Sequence, residues 1–129
     1  MNAPALIAGG LSLLAFGAHA VVGAHEFRLF APAPTDGAAR TAWVQALCGW
    51  HWVSVSLLGS AALFLLIGLT DAVADETAAL LVLSAYFAAC GAAWLGTLAV
   101  AGRGTERRYL VLGQWMFCWL VAALALWAA

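Results

Sequence analysis

The chain has 129 residues, of which 66% are hydrophobic and 9% are charged, and its net charge is −1. A soluble domain of this length has too little interior to bury so much apolar surface, so the composition excludes an ordinary soluble fold and indicates a membrane protein. Because the chain carries no surplus of basic residues, the charge argues against nucleic acid as a partner.

The charged residues are confined to short segments that separate four long uncharged stretches. Each stretch reaches the roughly 20 residues that a helix needs to cross a hydrocarbon core of about 30 Å. None of them shows the alternation of a barrel strand, and helices satisfy their own backbone groups in lipid. The sequence therefore predicts a single all-α transmembrane domain over residues 1–129, with helices at about 3–24, 42–69, 77–101 and 109–127.

The basic residues indicate the orientation of these helices. All five are arginines, and they lie in the segments after the first and third predicted helices: Arg28, Arg40, Arg103, Arg107 and Arg108. The segment after the second predicted helix carries only acidic residues. The positive-inside rule places the arginine segments in the cytoplasm and both termini outside, which predicts a multi-pass protein of a bacterial inner membrane.

The connecting segments are short enough for an up-down four-helix bundle. Asp75 is the predicted N-cap of the third helix, and Thr105 is the predicted N-cap of the fourth. Three cysteines lie inside predicted helices, and an odd number without short-range pairing argues against a disulfide framework.

Each predicted helix carries a hydrogen-bonding side chain in its cytoplasmic half. An uncompensated polar group in hydrocarbon costs several kcal/mol, so such side chains are expected to face one another rather than lipid. Helical spacing adds further members to this expected polar layer and connects it to charged residues at the membrane surface. The predicted layer comprises His19, His51, Gln114, Cys48, Ser54 and Trp94, and its cytoplasmic mouth comprises Glu26, Arg28, Arg107 and Arg108.

Three interpretations of this layer are open. It can join helices through hydrogen bonds. It can hold the cofactor of an electron-transfer or sensor protein, with His19 and His51 as axial ligands of a haem b, or with His51 and Cys48 as ligands of a softer metal, although the sequence has no CxxCH attachment motif. It can also form a small transporter or proton path, since ionisable groups inside membranes often mark one.

The sequence contains no recognisable nucleophile–base pair, phosphate-binding loop or carboxylate dyad, so catalysis is not expected. The sequence favours a non-enzymatic integral membrane protein. We expect it to act as a homo-oligomer or as an accessory subunit of another membrane protein, because stripes of small residues and abundant tryptophan suit close helix contacts.

The runs "GAHAVVGAHEFR" and "GWHWVSVSLLG" resemble a loosely defined set of small bacterial four-helix membrane proteins. Members of this set have a histidine near the end of the first helix, then a glycine and an acidic residue, and a Trp-His pair in the second helix. The pattern falls on His19, Gly23, Glu26, Trp50 and His51. The resemblance covers the first half of the chain, and it implies the fold without implying an activity.

Overall fold

The computed structural model describes residues 1–104 and 106–129, and all regular structure in this part of the chain is helical. Three helices are long and apolar enough to cross a membrane. They are α1 (Ala3–Leu29), α2 (Gly37–Leu69) and α3 (Glu76–Val100). Two shorter helices follow, the single turn α4 (Arg108–Val111) and the apolar α5 (Gln114–Ala128).

The connection between the first two helices is shorter than predicted, because both helices continue into it. The helix α1 continues to Leu29, and α2 begins at Gly37, where the carboxylate of Asp36 accepts a hydrogen bond from the Ala39 amide at 3.1 Å. The prediction that Asp75 caps the third helix is confirmed, since its carboxylate accepts from the Ala78 amide at 2.9 Å. The predicted cap at Thr105 lies outside the described residues.

The predicted fourth helix, 109–127, is interrupted. The turn α4 ends at Val111, and α5 begins at Gln114 after the non-helical residues Leu112 and Gly113. With 15 residues, α5 is about 22 Å long at 1.5 Å per residue, which is shorter than a hydrocarbon core.

The chain divides into two compact units, of which the first, the α1–α2 unit, comprises Gly9–Leu63. Its two helices run antiparallel. The residues near the end of α1 contact residues near the start of α2, because Phe27 stacks on Trp43 while His19 contacts Ser54 further along α2.

The second unit, the α3–α5 unit, comprises Met1–Ala8 and Phe64–Ala129. Here α3 and α5 run antiparallel, since the Ser84 hydroxyl donates to the carbonyl of Ala122 and Thr77 donates to the carbonyl of Ala129. The core of this unit is apolar, with Phe64, Ile67, Leu80 and Val121 almost completely buried.

One end of the α3–α5 unit is fastened by Asn2. Its side-chain amide donates to the carbonyl of Ala128 at 2.9 Å, while its backbone amide donates to the carbonyl of Gly68 at 3.2 Å. The same side chain caps α1 by accepting from the Ala5 amide. The first residues of α1, the end of α2 and the end of α5 therefore meet at one end of this unit.

Candidate functional site

Two hydrogen bonds involving side chains of α2, Ser54 and Trp50, meet a π-helical segment of α1, Ala18–Gly23. In such a segment hydrogen bonds span five residues instead of four, and the Ala24 amide accordingly points to the carbonyl of His19. Single π-turns inside α-helices occur frequently at functional sites. Because this segment also contains His19, it forms the centre of the candidate site.

The side chain of His19 is fixed on two sides. Its Nδ1 lies 3.0 Å from the hydroxyl of Ser54, which is only 5% exposed. Its ring lies flat on the indole of Trp50, with centroids 4.0 Å apart and an interplanar angle of 11°. The Ser54 hydroxyl also reaches the Trp50 carbonyl at 3.4 Å, so it can donate there while accepting from the imidazole N–H.

Trp50 supports the π-helical segment directly. Its indole Nε1 donates to the carbonyl of His19 at 3.1 Å, in addition to the stacking of the two rings. The ring lies so close to α1 that a methyl group on Gly23 would stand 2.5 Å from Trp50 Cζ2. A glycine at position 23 is therefore a steric requirement of this packing.

The His19–Trp50 pair is one end of a longer stack, which we call the aromatic ladder. Phe27 stacks on Trp50 with centroids 5.3 Å apart, and Trp43 stacks on the other side of Phe27 at 6.0 Å. The guanidinium of Arg40 lies over the Trp43 ring, 5.1 Å from its centroid. Because its rings come alternately from α1 and α2, the ladder joins the two helices along several turns.

The structure places His51 differently from the prediction. The hydrogen-bonded imidazole is His19, whereas the side chain of His51 is exposed and has no hydrogen-bond partner in the described part of the chain. Cys48, three residues before His51, is also exposed. The prediction that His51 faces inward was wrong. Trp50, at about 100° around the helix from His51, is the residue that contacts α1.

The two predicted layer residues of the α3–α5 unit lie at the interruption before α5. The indole Nε1 of Trp94 donates to the carbonyl of Leu112 at 2.9 Å, and that of Trp115 donates to the carbonyl of Tyr109 at 2.8 Å. Gln114 is the first residue of α5 and is exposed. The partner of Trp94 is thus a backbone group freed by the interruption, and not a histidine.

Residues of the predicted cytoplasmic mouth are exposed, except that Arg108 is half-buried. Its guanidinium lies over the ring of Tyr109, 5.0 Å from the centroid, and Nη2 donates to the Tyr109 hydroxyl at 3.3 Å. Glu26 and Arg28 have no ion pair within the described residues. A polar layer shared by all predicted helices stays a prediction, as does a seam that runs into it from the mouth.

Metal binding by side chains alone is not supported, since no group of three or more histidine, cysteine, aspartate or glutamate side chains comes together among the described residues. The sequence identified His19 and Ser54 but not their pairing, and it missed the role of Trp50. The signal that could have pointed to Trp50 is Gly23, because a glycine inside an apolar helix often marks a close approach of another element.

No family model, no curated protein and no solved structure matches this chain.

Proposed function

We propose that the chain is a non-enzymatic subunit of a membrane assembly in a bacterial inner membrane, either a homo-oligomer or a complex with another membrane protein. Two observations support this proposal: α2 has 33 residues, more than a hydrocarbon core requires, and the face of α2 that carries Val44, Cys48 and His51 is exposed.

The extension follows from the length of α2. Its 33 residues span about 50 Å at 1.5 Å per residue, whereas a hydrocarbon core is about 30 Å thick. A typical tilt of about 20° shortens the vertical span only to about 47 Å. The C-terminal half of α2 is the more apolar, so counting about 20 residues back from Leu69 puts the inner edge of the core near Trp50.

The part of α2 before Trp50 then lies in the headgroup layer and the water beyond it. The aromatic ladder supports it there, because Trp43 and Trp50 interleave with Phe27 of α1 and the ladder ends at the charged Arg40. A stack of this kind stabilises a helix pair outside the bilayer, where lipid no longer surrounds it.

The outer face of this extension offers a docking surface. Val44, Cys48 and His51 share one face of α2 at spacings of three and four residues, and all three are exposed. Apolar and polar groups side by side in a rigid helix face are typical of protein contacts at a membrane surface.

We also propose that each chain of this assembly crosses the membrane four times, with both termini outside. The contacts of Asn2 with Ala128 and of Thr77 with Ala129 support the fourth crossing, because they bring the end of α5 to the end of the unit where α1 begins. The interruption allows α4 and α5 together to cover more of the bilayer than α5 alone. The arginine segments support the cytoplasmic placement of the opposite end.

A role in packing explains the Ser54–His19 pair better than catalysis does. The two side chains have the composition of a nucleophile and a base, but Ser54 is buried and its hydroxyl is directed to a backbone carbonyl. A serine nucleophile needs open space for the substrate carbonyl about 3 Å away. We therefore assign the pair to helix–helix contact.

The assembly is tested by oxidative cross-linking of Cys48 in isolated membranes. If two copies meet through the α2 face, copper phenanthroline should produce a disulfide-linked dimer of the full chain. The variant with Cys90→Ala and Cys118→Ala should retain the dimer, and Cys48→Ser should lose it. A chain that stays monomeric, with no Cys48-dependent adduct, would contradict the proposal.

Orientation is tested by cysteine labelling in a variant that lacks the three native cysteines. A cysteine at Asp36 should be shielded from an impermeant thiol reagent in intact cells, and a cysteine at Asp75 should react. The reverse pattern would show that the termini lie in the cytoplasm.

A second function, binding of haem b, is favoured by one feature of His19. Its Nδ1 is held by Ser54, which leaves Nε2 pointing away from that contact, and a histidine ligand is typically oriented by a hydrogen bond at its other nitrogen. A Soret band in the purified protein that disappears in His19→Ala would support this function. A colourless protein after expression with excess haem would argue against it.

A further inference from the structure

The segment between α3 and α5 contains an arginine, Arg108, whose side chain lies between Gly102 and Tyr109. The side chain of Arg108 packs across the end of α3, where a methyl group on Gly102 would stand 2.9 Å from Arg108 Cδ. On its other side the guanidinium lies over the Tyr109 ring and donates to the Tyr109 hydroxyl. Within the described residues Arg108 donates one hydrogen bond, so most of its five N–H donors are available to a ligand.

Positive charge accumulates around this group. Arg103 and Arg107 are exposed and lie within five residues of Arg108. Glu106 is the one acidic residue of the segment, and the described part of the chain contains no ion pair that would neutralise these arginines. The segment therefore presents up to three guanidinium groups against one carboxylate.

Apolar surface adjoins this charge. Leu110 and Val111, which directly follow Tyr109, are 70% and 68% exposed. The neighbouring indoles of Trp94 and Trp115 and the ring of Tyr109 are the side chains found where headgroups meet hydrocarbon. A ligand that fits both features carries a phosphate and an aliphatic chain.

We propose that Arg108, with Arg103 and Arg107 beside it, binds the phosphate of an anionic phospholipid at the cytoplasmic surface of the membrane. Guanidinium groups bind phosphate oxygens through two parallel hydrogen bonds, and the contact with the Tyr109 ring restricts the Arg108 side chain, which reduces the entropy lost on binding. The acyl chains of the same lipid lie against Leu110 and Val111. Free inorganic phosphate matches the charge but has nothing to place on this apolar surface.

The test measures the thermal midpoint of the purified full chain in detergent during titration with dioleoyl phosphatidylglycerol. A ligand that binds the folded state raises the midpoint. We expect phosphatidylglycerol to do so and the zwitterionic dioleoyl phosphatidylcholine to have a much smaller effect. Arg108→Gln should weaken the apparent affinity about tenfold, since hydrogen bonds to charged groups contribute that much.

Two further variants separate a site from a general charge effect. Arg28→Gln removes the same charge from the other arginine segment and should leave the affinity within about twofold. Arg108→Lys keeps the charge but loses the planar stack and the paired donors, so it should weaken binding by several-fold. This variant also decides the question if Arg108→Gln does not fold.

Three results would overturn the proposal. They are an equal response to phosphatidylcholine, an equal loss in Arg28→Gln, and a response to inorganic phosphate as large as that to phosphatidylglycerol. The last result would identify an anion site that does not recognise lipid.

Discussion

Regular α-helical geometry is interrupted at two places in this protein, and at each place a tryptophan indole donates a hydrogen bond to a backbone carbonyl. In α1 the departure is the π-helical segment Ala18–Gly23, where Trp50 donates to the His19 carbonyl. Before α5 it is the interruption at Leu112, where Trp94 donates to the Leu112 carbonyl. The indole is a second donor to the His19 carbonyl, which also accepts from the Ala24 amide, whereas Trp94 supplies the described donor to the Leu112 carbonyl.

The surroundings of the two donors differ. Trp50 lies between the rings of His19 and Phe27 and against the backbone at Gly23, so both faces and one edge of its indole are in contact. Trp94 is 38% exposed and makes a single described hydrogen bond. The same donor can therefore fix a helix pair rigidly or merely close a gap in a backbone, according to what packs on its ring.

Glycine-to-alanine substitution is expected to give the largest difference in lost stability between the two regions. Gly23→Ala places a methyl group 2.5 Å from the Trp50 ring, which cannot move without disturbing the aromatic ladder, and should destabilise by about 1–3 kcal/mol. Gly113→Ala meets the flexible end of Met116 at 2.6 Å and the backbone oxygen of Leu110 at 3.1 Å, and because only a small shift is needed it should change stability by less than about 0.5 kcal/mol. Unfolding in mixed micelles, followed by circular dichroism, measures both.

Gly17→Ala is the control for the glycine pair. Its methyl group meets nothing within 4 Å, and alanine is the better helix former, so this variant should be slightly more stable than the native chain. Equal losses in Gly23→Ala and Gly113→Ala would remove the distinction between the two regions.

Replacing each tryptophan by phenylalanine removes the indole N–H and keeps an aromatic ring. The two regions should then differ less in lost stability than they do for the glycine substitutions. Trp50→Phe leaves the His19 carbonyl with one donor fewer and reduces the stack, for a loss of about 1 kcal/mol. Trp94→Phe frees a carbonyl near the membrane surface, where water can replace the lost donor, and should cost about 0.5 kcal/mol or less. The same micelle unfolding assay applies, and a larger loss in Trp94→Phe would reverse the assignment.

Substitution of the two histidines is expected to give the smallest difference in unfolding free energy. His19→Phe keeps a flat ring on Trp50 but breaks the contact with Ser54, and should cost about 0.6–1 kcal/mol. His51→Phe changes an exposed side chain and should leave the unfolding free energy of the detergent-solubilised monomer within about 0.5 kcal/mol. In membranes, however, His51→Phe should alter the yield of the Cys48 cross-link, because it changes the proposed docking face.

Some helix ends could be predicted from the sequence and others could not. The end of α2 at Leu69 and the cap at Asp75 were predicted correctly, because apolar runs and capping residues are local signals. The continuation of α1 to Leu29 was not predicted, since it depends on Phe27 packing between Trp43 and Trp50 of another helix. The interruption at Leu112 was also missed, because its carbonyl is satisfied by Trp94, 18 residues away in the chain.

The candidate site shows the same division. His19 and Ser54 could be selected from the sequence as polar groups within apolar helices, but so could His51, and helical spacing could not decide which imidazole faces inward. The decision depends on the shape of α1, where the π-helical segment turns His19 toward α2 and Gly23 leaves room for Trp50.

The amino-acid sequence by itself determined that this is an all-helical protein with apolar helices long enough to cross a membrane, because hydrophobicity and charge act through composition and order along the chain. Only the tertiary structure decided that His19 bonds to Ser54, that the aromatic ladder joins α1 and α2, and that Arg108 lies close to Gly102 and over the Tyr109 ring. Contacts such as those between α1 and α2 depend on side-chain shape and direction across helices distant in sequence, which no local pattern records.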